Sequence, residues 1–421
     1  MSSGKLSQLA ETLIGSEIVR LGAEVKEKII QGDKIYNYTI GDFDSSIFPI
    51  PAMLESEIVK AYKKRYTNYP AADGIQELRE AVSKFISEWE GIDYATNEIL
   101  IAAGGRPLIY AAFRAIVDKG DRVIYAVPSW NNNHYVHFNE GEHVVIESRQ
   151  KNNFMPTAAE IQPHIKGATL LSLCSPLNPT GTSFSKDELE LICDIVLKEN
   201  KKRGKDEKKL YLMYDQIYWT LTFGETIHYS PVQLRPEMKE YTVYIDGISK
   251  AFAATGVRVG WALGPAVLIN KMKAINSHVG SWAPMAEQKA VSSYLSNTED
   301  ISHYFADFKA GINERLQRIY TGFQQLKLEG YKVDAIAPQA AIYLTIQLNL
   351  AGKSTVDGKV LLDQDEVTAY LLNEAKLAIV PFYAFGTNRS SSWYRLSVGT
   401  CKIKEIDEML GTLKAALHKL S

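Results

Sequence analysis

Apolar and polar positions divide the chain into helices and strands before any chemistry is considered. Over 16–31, Ile18, Leu21, Val25 and Ile29 recur at helical spacing, with Gly32 as the stop. A loose arm is expected before this helix. After it a strand is expected over 35–40, a crossover at Pro49 and Pro51, and a helix over 54–63. From about 75 to 295 short β-favouring apolar runs alternate with helical segments. The runs predict strands at 99–103, 122–127, 144–147, 169–174, 210–214, 242–246 and 258–263, with helices between most of them, such as 107–117 and 186–198. Near-continuous apolar strands separated by helices predict an α/β fold whose mainly parallel sheet is sandwiched by helices. Beyond 300 the pattern changes. A long helix over 301–328 leads to strands at 332–336, 342–348 and 393–398 and a helix over 366–375. A last amphipathic helix over 403–420 carries Ile406, Met409, Leu410, Leu413 and Leu417 at helical spacing. This predicts a smaller α+β domain. The expected division is an N-terminal arm and part of the small domain at 1–51, a large domain at 52–300, and a C-terminal small domain at 301–421.

Ligands of open α/β sheets bind outside the carboxyl ends of the strands, so the following loops are where chemistry is sought. Residues 241–265 read YTVYIDGISKAFAATGVRVGWALGP. The strand breaks at Asp246-Gly247 and presents Ser249-Lys250 just past its end. Arg258 follows eight residues on, inside the apolar run 257–263. A lysine at a strand end with an arginine held nearby suits a carbonyl cofactor that carries a phosphate: the lysine forms a Schiff base and the arginine pairs with the phosphate. Gly104-Gly105-Arg106 opens a helix, and two glycines let backbone N–H groups close on an anion. Trp130 could stack on a planar heteroaromatic ring. Asn178 is an amide donor fixed between prolines in SPLNPTG. Asp215 ends a buried strand, which is costly unless it meets a cation such as a protonated pyridine nitrogen. Tyr218 lies three residues on and reaches the same ring.

Composition narrows the classes. With 421 residues the chain exceeds a single small core, and 46% hydrophobic with 23% charged residues is ordinary for an enzyme. A net charge of −2 gives no electrostatic reason to expect nucleic acid or an anionic membrane. Cys174, Cys193 and Cys401 are odd in number and widely spaced, against a disulfide framework or zinc site, so no metal is expected and a cytoplasmic location fits. No leader-like segment and no long apolar run appear. Neither G-x-G-x-x-G nor a nucleotide-binding G-x-x-x-x-G-K-[ST] is present.

Taken together, SPLNPTG, YDQIY, SKAFAATGVRVG and YRLSVG, in this order and spacing, resemble the fold-type-I pyridoxal 5′-phosphate (PLP) enzymes of the class I aminotransferases. The resemblance runs from about residue 16 to the C-terminus and is strongest to the prokaryotic aspartate aminotransferase branch. It implies a ping-pong transfer of an amino group between an L-amino acid, aspartate or glutamate among them, and a 2-oxo acid, with the large domain binding PLP. Lys250 would be the Schiff-base lysine and proton shuttle, Asp215 the partner of the pyridinium nitrogen, and Asn178 and Tyr218 donors to the ring's 3-oxygen. Trp130 would stack on the ring. Gly104, Gly105, Ser249 and Arg258 are similar to the phosphate cup, and Arg106 would meet either this phosphate or a distal substrate carboxylate. Tyr69 matches a tyrosine that reaches the phosphate of a neighbouring subunit, which implies a homodimer with shared sites. Gly41 and Arg395 would hold the substrate α-carboxylate, with Tyr343 close by. His134 is given a role behind the site. Gly247 stands where a serine is commoner in the family, so the phosphate loses one hydroxyl donor; Phe382 and Gln339-Ala340-Ala341-Ile342 depart from commoner residues at or beside the substrate pocket, which leaves substrate identity open. A PLP-dependent lyase or decarboxylase and a non-catalytic ligand sensor are the alternatives. The sensor is disfavoured because about 15 residues, too few for a helix-turn-helix, precede the first helix.

Overall fold

A computed structural model describes residues 6–15 and 17–421. The expectations for residues 1–5, and for residue 16 as the start of a helix, lie outside the described residues. Among the described residues thirteen strands follow in chain order: β1 (Tyr36–Asn37), β2 (Ile99–Ala102), β3 (Arg122–Val127), β4 (Glu142–Glu147), β5 (Ala168–Cys174), β6 (Tyr211–Asp215), β7 (Thr242–Gly247), β8 (Gly260–Leu263), β9 (Val333–Ala335), β10 (Tyr343–Leu348), β11 (Leu377–Ala378), β12 (Val380–Pro381) and β13 (Trp393–Ser397).

Seven of them form one sheet in the order β2-β8-β7-β6-β5-β3-β4. All neighbours in it pair parallel except β8, which runs antiparallel to both β2 and β7. Successive side chains of a strand point to opposite faces, and the apolar runs are sorted accordingly. Ile99, Ile101, Ile124, Leu171, Tyr214 and Tyr244 enter one buried cluster with the helices Gln76–Glu90, Lys186–Lys202 and Met285–Tyr294. Leu100, Ala102, Val123, Leu170, Met213 and Val243 enter another with Gly105–Ile116 and Ala266–Val279. Burial on both faces is why these strands lack polar alternation.

A second sheet, β12-β13-β10-β9, is antiparallel throughout. Its core includes Leu344, Ile346, Tyr394 and Leu396 and is closed by the helices Thr298–Leu328, Gln364–Glu374 and Ile406–His418. The 31-residue helix Thr298–Leu328 starts at Asn297, whose side chain accepts from Asp300 N. Ile301 and Phe305 of this helix join the large-sheet core, and Phe308, Ile312 and Leu316 the small-sheet core. The strand expected over 35–40 shrinks to β1, which pairs in parallel with β11. Beyond it Thr39 N turns to the Asn37 side chain, so ladder pairing stops. The strand expected at 258–263 begins only at Gly260. Arg258 has φ +61°, a left-handed conformation that breaks a strand. Among the described residues no helix is long and apolar enough to cross a membrane.

Candidate active site

The carboxyl ends of the parallel strands open on a cavity of about 580 Å³. It is lined by Gly105 and Arg106 after β2, Trp130 after β3, Asn178 after β5, Asp215 at the end of β6, and Ser249 and Lys250 after β7. Because β8 is reversed, its start lies at this same end and delivers Arg258. The N-terminal segment contributes Gly41 and Asp42, and the small sheet adds Tyr343 and Arg395.

Lys250 lies in the single helical turn Ile248–Ala251, and its Nζ donates to the Gly41 carbonyl oxygen at 2.7 Å. Burial pulls its ammonium down to about 8, opposed by the Asp42 carboxylate and assisted by the charges of Arg395, Arg106 and Arg258. The Asp215 carboxyl is pushed up to about 6 by burial, with the Ile217 N–H at 3.1 Å as its compensating donor. Among the described residues no ion-pair partner meets it. Arg395 is 2% exposed. It donates to the Thr39 carbonyl (2.6 Å) and to Asn178 Oδ1 (3.1 Å), its Nε has no partner, and burial lowers its pKa. Its guanidinium lies over the Tyr343 ring at 4.7 Å. The Tyr218 and Tyr343 hydroxyls are hydrogen-bonded at 2.6 Å, and burial raises Tyr218 well above the usual phenol range.

Arg258 is held rigidly. It donates to the Thr255 carbonyl at 2.8 Å and to the Ala103 carbonyl at 2.7 Å. Gly104 has φ +86°, and a Cβ there would collide with the Arg258 guanidinium. Glycine therefore lets this arginine settle against the start of the helix Gly105–Ile116, where backbone N–H groups and a cation face one point. The Arg106 guanidinium sits 5.5 Å from the centre of the Trp130 ring.

Of the residues singled out from sequence, twelve line this cavity: Gly41, Gly105, Arg106, Trp130, Asn178, Asp215, Tyr218, Ser249, Lys250, Arg258, Tyr343 and Arg395. Gly104 abuts Arg258 from outside the lining. Tyr69 does not line it; 85% exposed, it packs edge-on against Trp282. His134 is also outside the lining. Asn132, not singled out from sequence, does line it: in the helix Asn132–Phe138 residues 132 and 135 share the cavity face and 134 does not. Asn132 Oδ1 accepts from Ser172 Oγ at 2.7 Å. Helical phase could have found Asn132. Asp42, next to Gly41, accepts from Thr255 Oγ1 at 2.7 Å. Ile18 arrives from the N-terminal helix with no local signal. Among the described residues no cluster suited to a metal ion occurs.

A half-buried amine, a half-buried carboxylate without a cation and a buried guanidinium with an unmatched donor thus meet in one space. That set fits a group carrying a carbonyl, a basic ring nitrogen and a phosphate, together with a carboxylate-bearing second molecule.

Comparison with known proteins gives the same direction. The chain is 30% identical to the probable aspartate/prephenate aminotransferase of Rickettsia felis over 89% of this chain and 88% of that protein. It is 29% identical to the aspartate aminotransferase of Bacillus sp. strain YM-2 over 94% and 95%. The crystal structure of the aspartate aminotransferase from Rhizobium meliloti superposes with a TM-score of 0.89 at 27% identity, covering 99% of this chain and 100% of that one. Residues 34–413 match the family model of aminotransferase class I and II, and the chain is an enzyme of that family.

Proposed function

We propose that the cavity binds pyridoxal 5′-phosphate, which the family typically uses, and that the enzyme moves the amino group of a dicarboxylic L-amino acid to a 2-oxo acid. The observation that carries this reading is the meeting of Lys250, Asp215 and Arg395 in one cavity, the first two half-buried and the third buried, each without the ionic partner its charge calls for. When bound, the cofactor supplies the carbonyl that takes up amino groups and the ring that accepts electrons. Lys250, brought to about 8, has an uncharged fraction near neutral pH and serves as the nucleophile, then as the base that carries the substrate Cα proton. Asp215 holds a proton on the ring nitrogen. Tyr218 and Asn178 donate to the ring's oxygen, Trp130 stacks on the ring, and Arg258, Ser249, Gly104 and Gly105 hold the phosphate. Arg395, with the backbone at Gly41 and Tyr343 beside it, orients the substrate α-carboxylate.

Two relatives bear the name of aspartate or aspartate/prephenate aminotransferases. Arg106 supports a similar acidic substrate here, because it reaches the cavity beside Trp130 from a helix start, where the dipole disfavours an unpaired cation. Borohydride reduction of the holoenzyme followed by peptide mapping is expected to label Lys250; a different labelled lysine removes the assignment. A panel of amino acids against 2-oxoglutarate, pyruvate and oxaloacetate is expected to favour aspartate or glutamate over alanine. Arg106→Ala should lose that preference and keep the cofactor. Neutral donors that beat both dicarboxylates by a wide margin overturn the substrate reading. Release of pyruvate and ammonia without an acceptor would turn it toward a lyase.

A further inference from the structure

Behind the segment 215–220 lies a second cavity, of about 570 Å³. Asp215 and Tyr218 line the cleft already described, whereas Trp219 and Thr220 line this one. Glu90, the last residue of the helix Gln76–Glu90, reaches it and is 8% exposed. Its carboxylate oxygens accept from Gln216 Nε2 at 2.9 and 2.7 Å. Lys309, on the helix Thr298–Leu328, lines the same space. Among the described residues neither Glu90 nor Lys309 has an oppositely charged partner. Burial holds the Glu90 carboxyl well above the usual carboxylate range and lowers the Lys309 ammonium.

Three further polar atoms stand without partners here: Thr220 Oγ1, on a residue 6% exposed, and both ring nitrogens of His228. Burial pushes this imidazole down to about 3, so it is neutral and offers one donor and one acceptor. Buried polar groups in native proteins nearly always have partners, so such a concentration marks a place where something else supplies them. The remaining wall is apolar, with Trp89, Trp219 and Phe305.

We propose that this cavity is a second binding site, separate from the cleft, for a zwitterionic amino acid with an apolar side chain. Glu90 takes the ammonium, Lys309 and Thr220 take the carboxylate, and the aromatic wall takes the side chain. A simple anion would answer Lys309 and leave the Glu90 carboxyl holding the proton that burial keeps on it, whereas a ligand ammonium beside Glu90 draws that proton off, and a simple cation alone would leave Lys309 opposed to it. One molecule with both charges matches both. The volume is in the range of sites for small molecules. The inference does not depend on the reaction in the cleft. It does touch that cleft structurally: Gln216 follows Asp215 directly, and Trp219 Nε1 donates to Asp246 Oδ2 at 2.9 Å, four residues before Lys250.

The test is equilibrium dialysis of the holoenzyme against L-phenylalanine, for wild type, Lys309→Met, Thr220→Val and Arg395→Ala. One bound equivalent per chain is expected to survive Arg395→Ala, to weaken at least about tenfold in Lys309→Met as the cation that faces the ligand carboxylate is removed, and to weaken less in Thr220→Val. Thermal melts establish that each variant is folded. The absence of any equivalent with this pattern means that water alone fills the cavity and overturns the proposal, as does a second equivalent indifferent to both Lys309→Met and Thr220→Val.

Discussion

A carboxyl group at the end of an interior strand is unfavourable in its charged form, and Asp215 is in that position. Its folded value of about 6 lies above the ordinary 3.8, so the folded protein holds this proton more tightly than the unfolded chain. The stabilisation from that tighter hold is complete below about pH 3.8 and is lost as pH rises through about 6. Relative to Asp215→Asn, the cofactor-free protein is expected to lose on the order of 2–3 kcal/mol across that window, read from denaturant titrations at stepped pH. With the cofactor bound, a cation opposite the carboxylate should cancel the difference. A profile that rises with pH would exclude the burial effect. In turnover, Asp215→Asn is expected to lower kcat/KM by at least about thirtyfold, a loss of about 2 kcal/mol. A variant within about threefold of wild type would count against its role. At this scale the sequence was informative because Lys250, Asp215 and Asn178 sit at the ends of strands whose apolar runs are unambiguous. Ile18 and Asp42 were not legible, since tertiary contact alone brings them in.

Elements carry a different constraint. The loop after β5 is pinned against the small sheet: Ala340 N donates to the Gly181 carbonyl, and Thr345 Oγ1 to the Thr180 carbonyl at 2.8 Å. Gly181 has φ +69°, and a Cβ there would collide with the Tyr343 carbonyl oxygen. Gly181→Ala therefore has no room and no compatible backbone. It is expected to destabilise the protein by more than about 2 kcal/mol and to weaken substrate saturation through Asn178 and Tyr343, which differential scanning calorimetry and KM measurements would read. An unchanged melting temperature would contradict the fit. The motif SPLNPTG was recognisable as a constrained loop, but not which strand it met. The run 258–263 was likewise legible as a strand, though an apolar run carries no sign of direction. Its reversal, and the left-handed turn at Arg258, come from pairing with β2 and β7.

At the scale of the molecule, the alternation of strands and helices foretold the large sheet, and the change in pattern after residue 300 foretold the smaller one. The register between them was not written locally, because one helix, Thr298–Leu328, serves both cores. Tyr69 belongs to a larger assembly in our reading: it is far from closed off in the single chain, and we propose that it completes the cofactor site of a second copy. Mixing Tyr69→Phe subunits with Lys250→Ala subunits is expected to restore activity above either parent, since hybrids then hold one site free of both changes. A mixture no more active than its better component, or a monomer fully active at high dilution, would refute the sharing.

The reversed strand has one more consequence. Antiparallel neighbours need only a short connection, whereas parallel ones need a crossover of a dozen residues or more. Lys250 and Arg258 both lie on the one connection between β7 and β8, residues 248–259, which is fixed at both ends by these strands in one sheet and never crosses to the other. Arg395 rides on β13 in the other sheet. Any swing of the smaller sheet against the larger alters the span from Arg395 to Lys250 and leaves that from Lys250 to Arg258 unchanged. With the roles proposed above, such a swing would change the hold on the substrate carboxylate and leave the hold on the cofactor at constant dimensions.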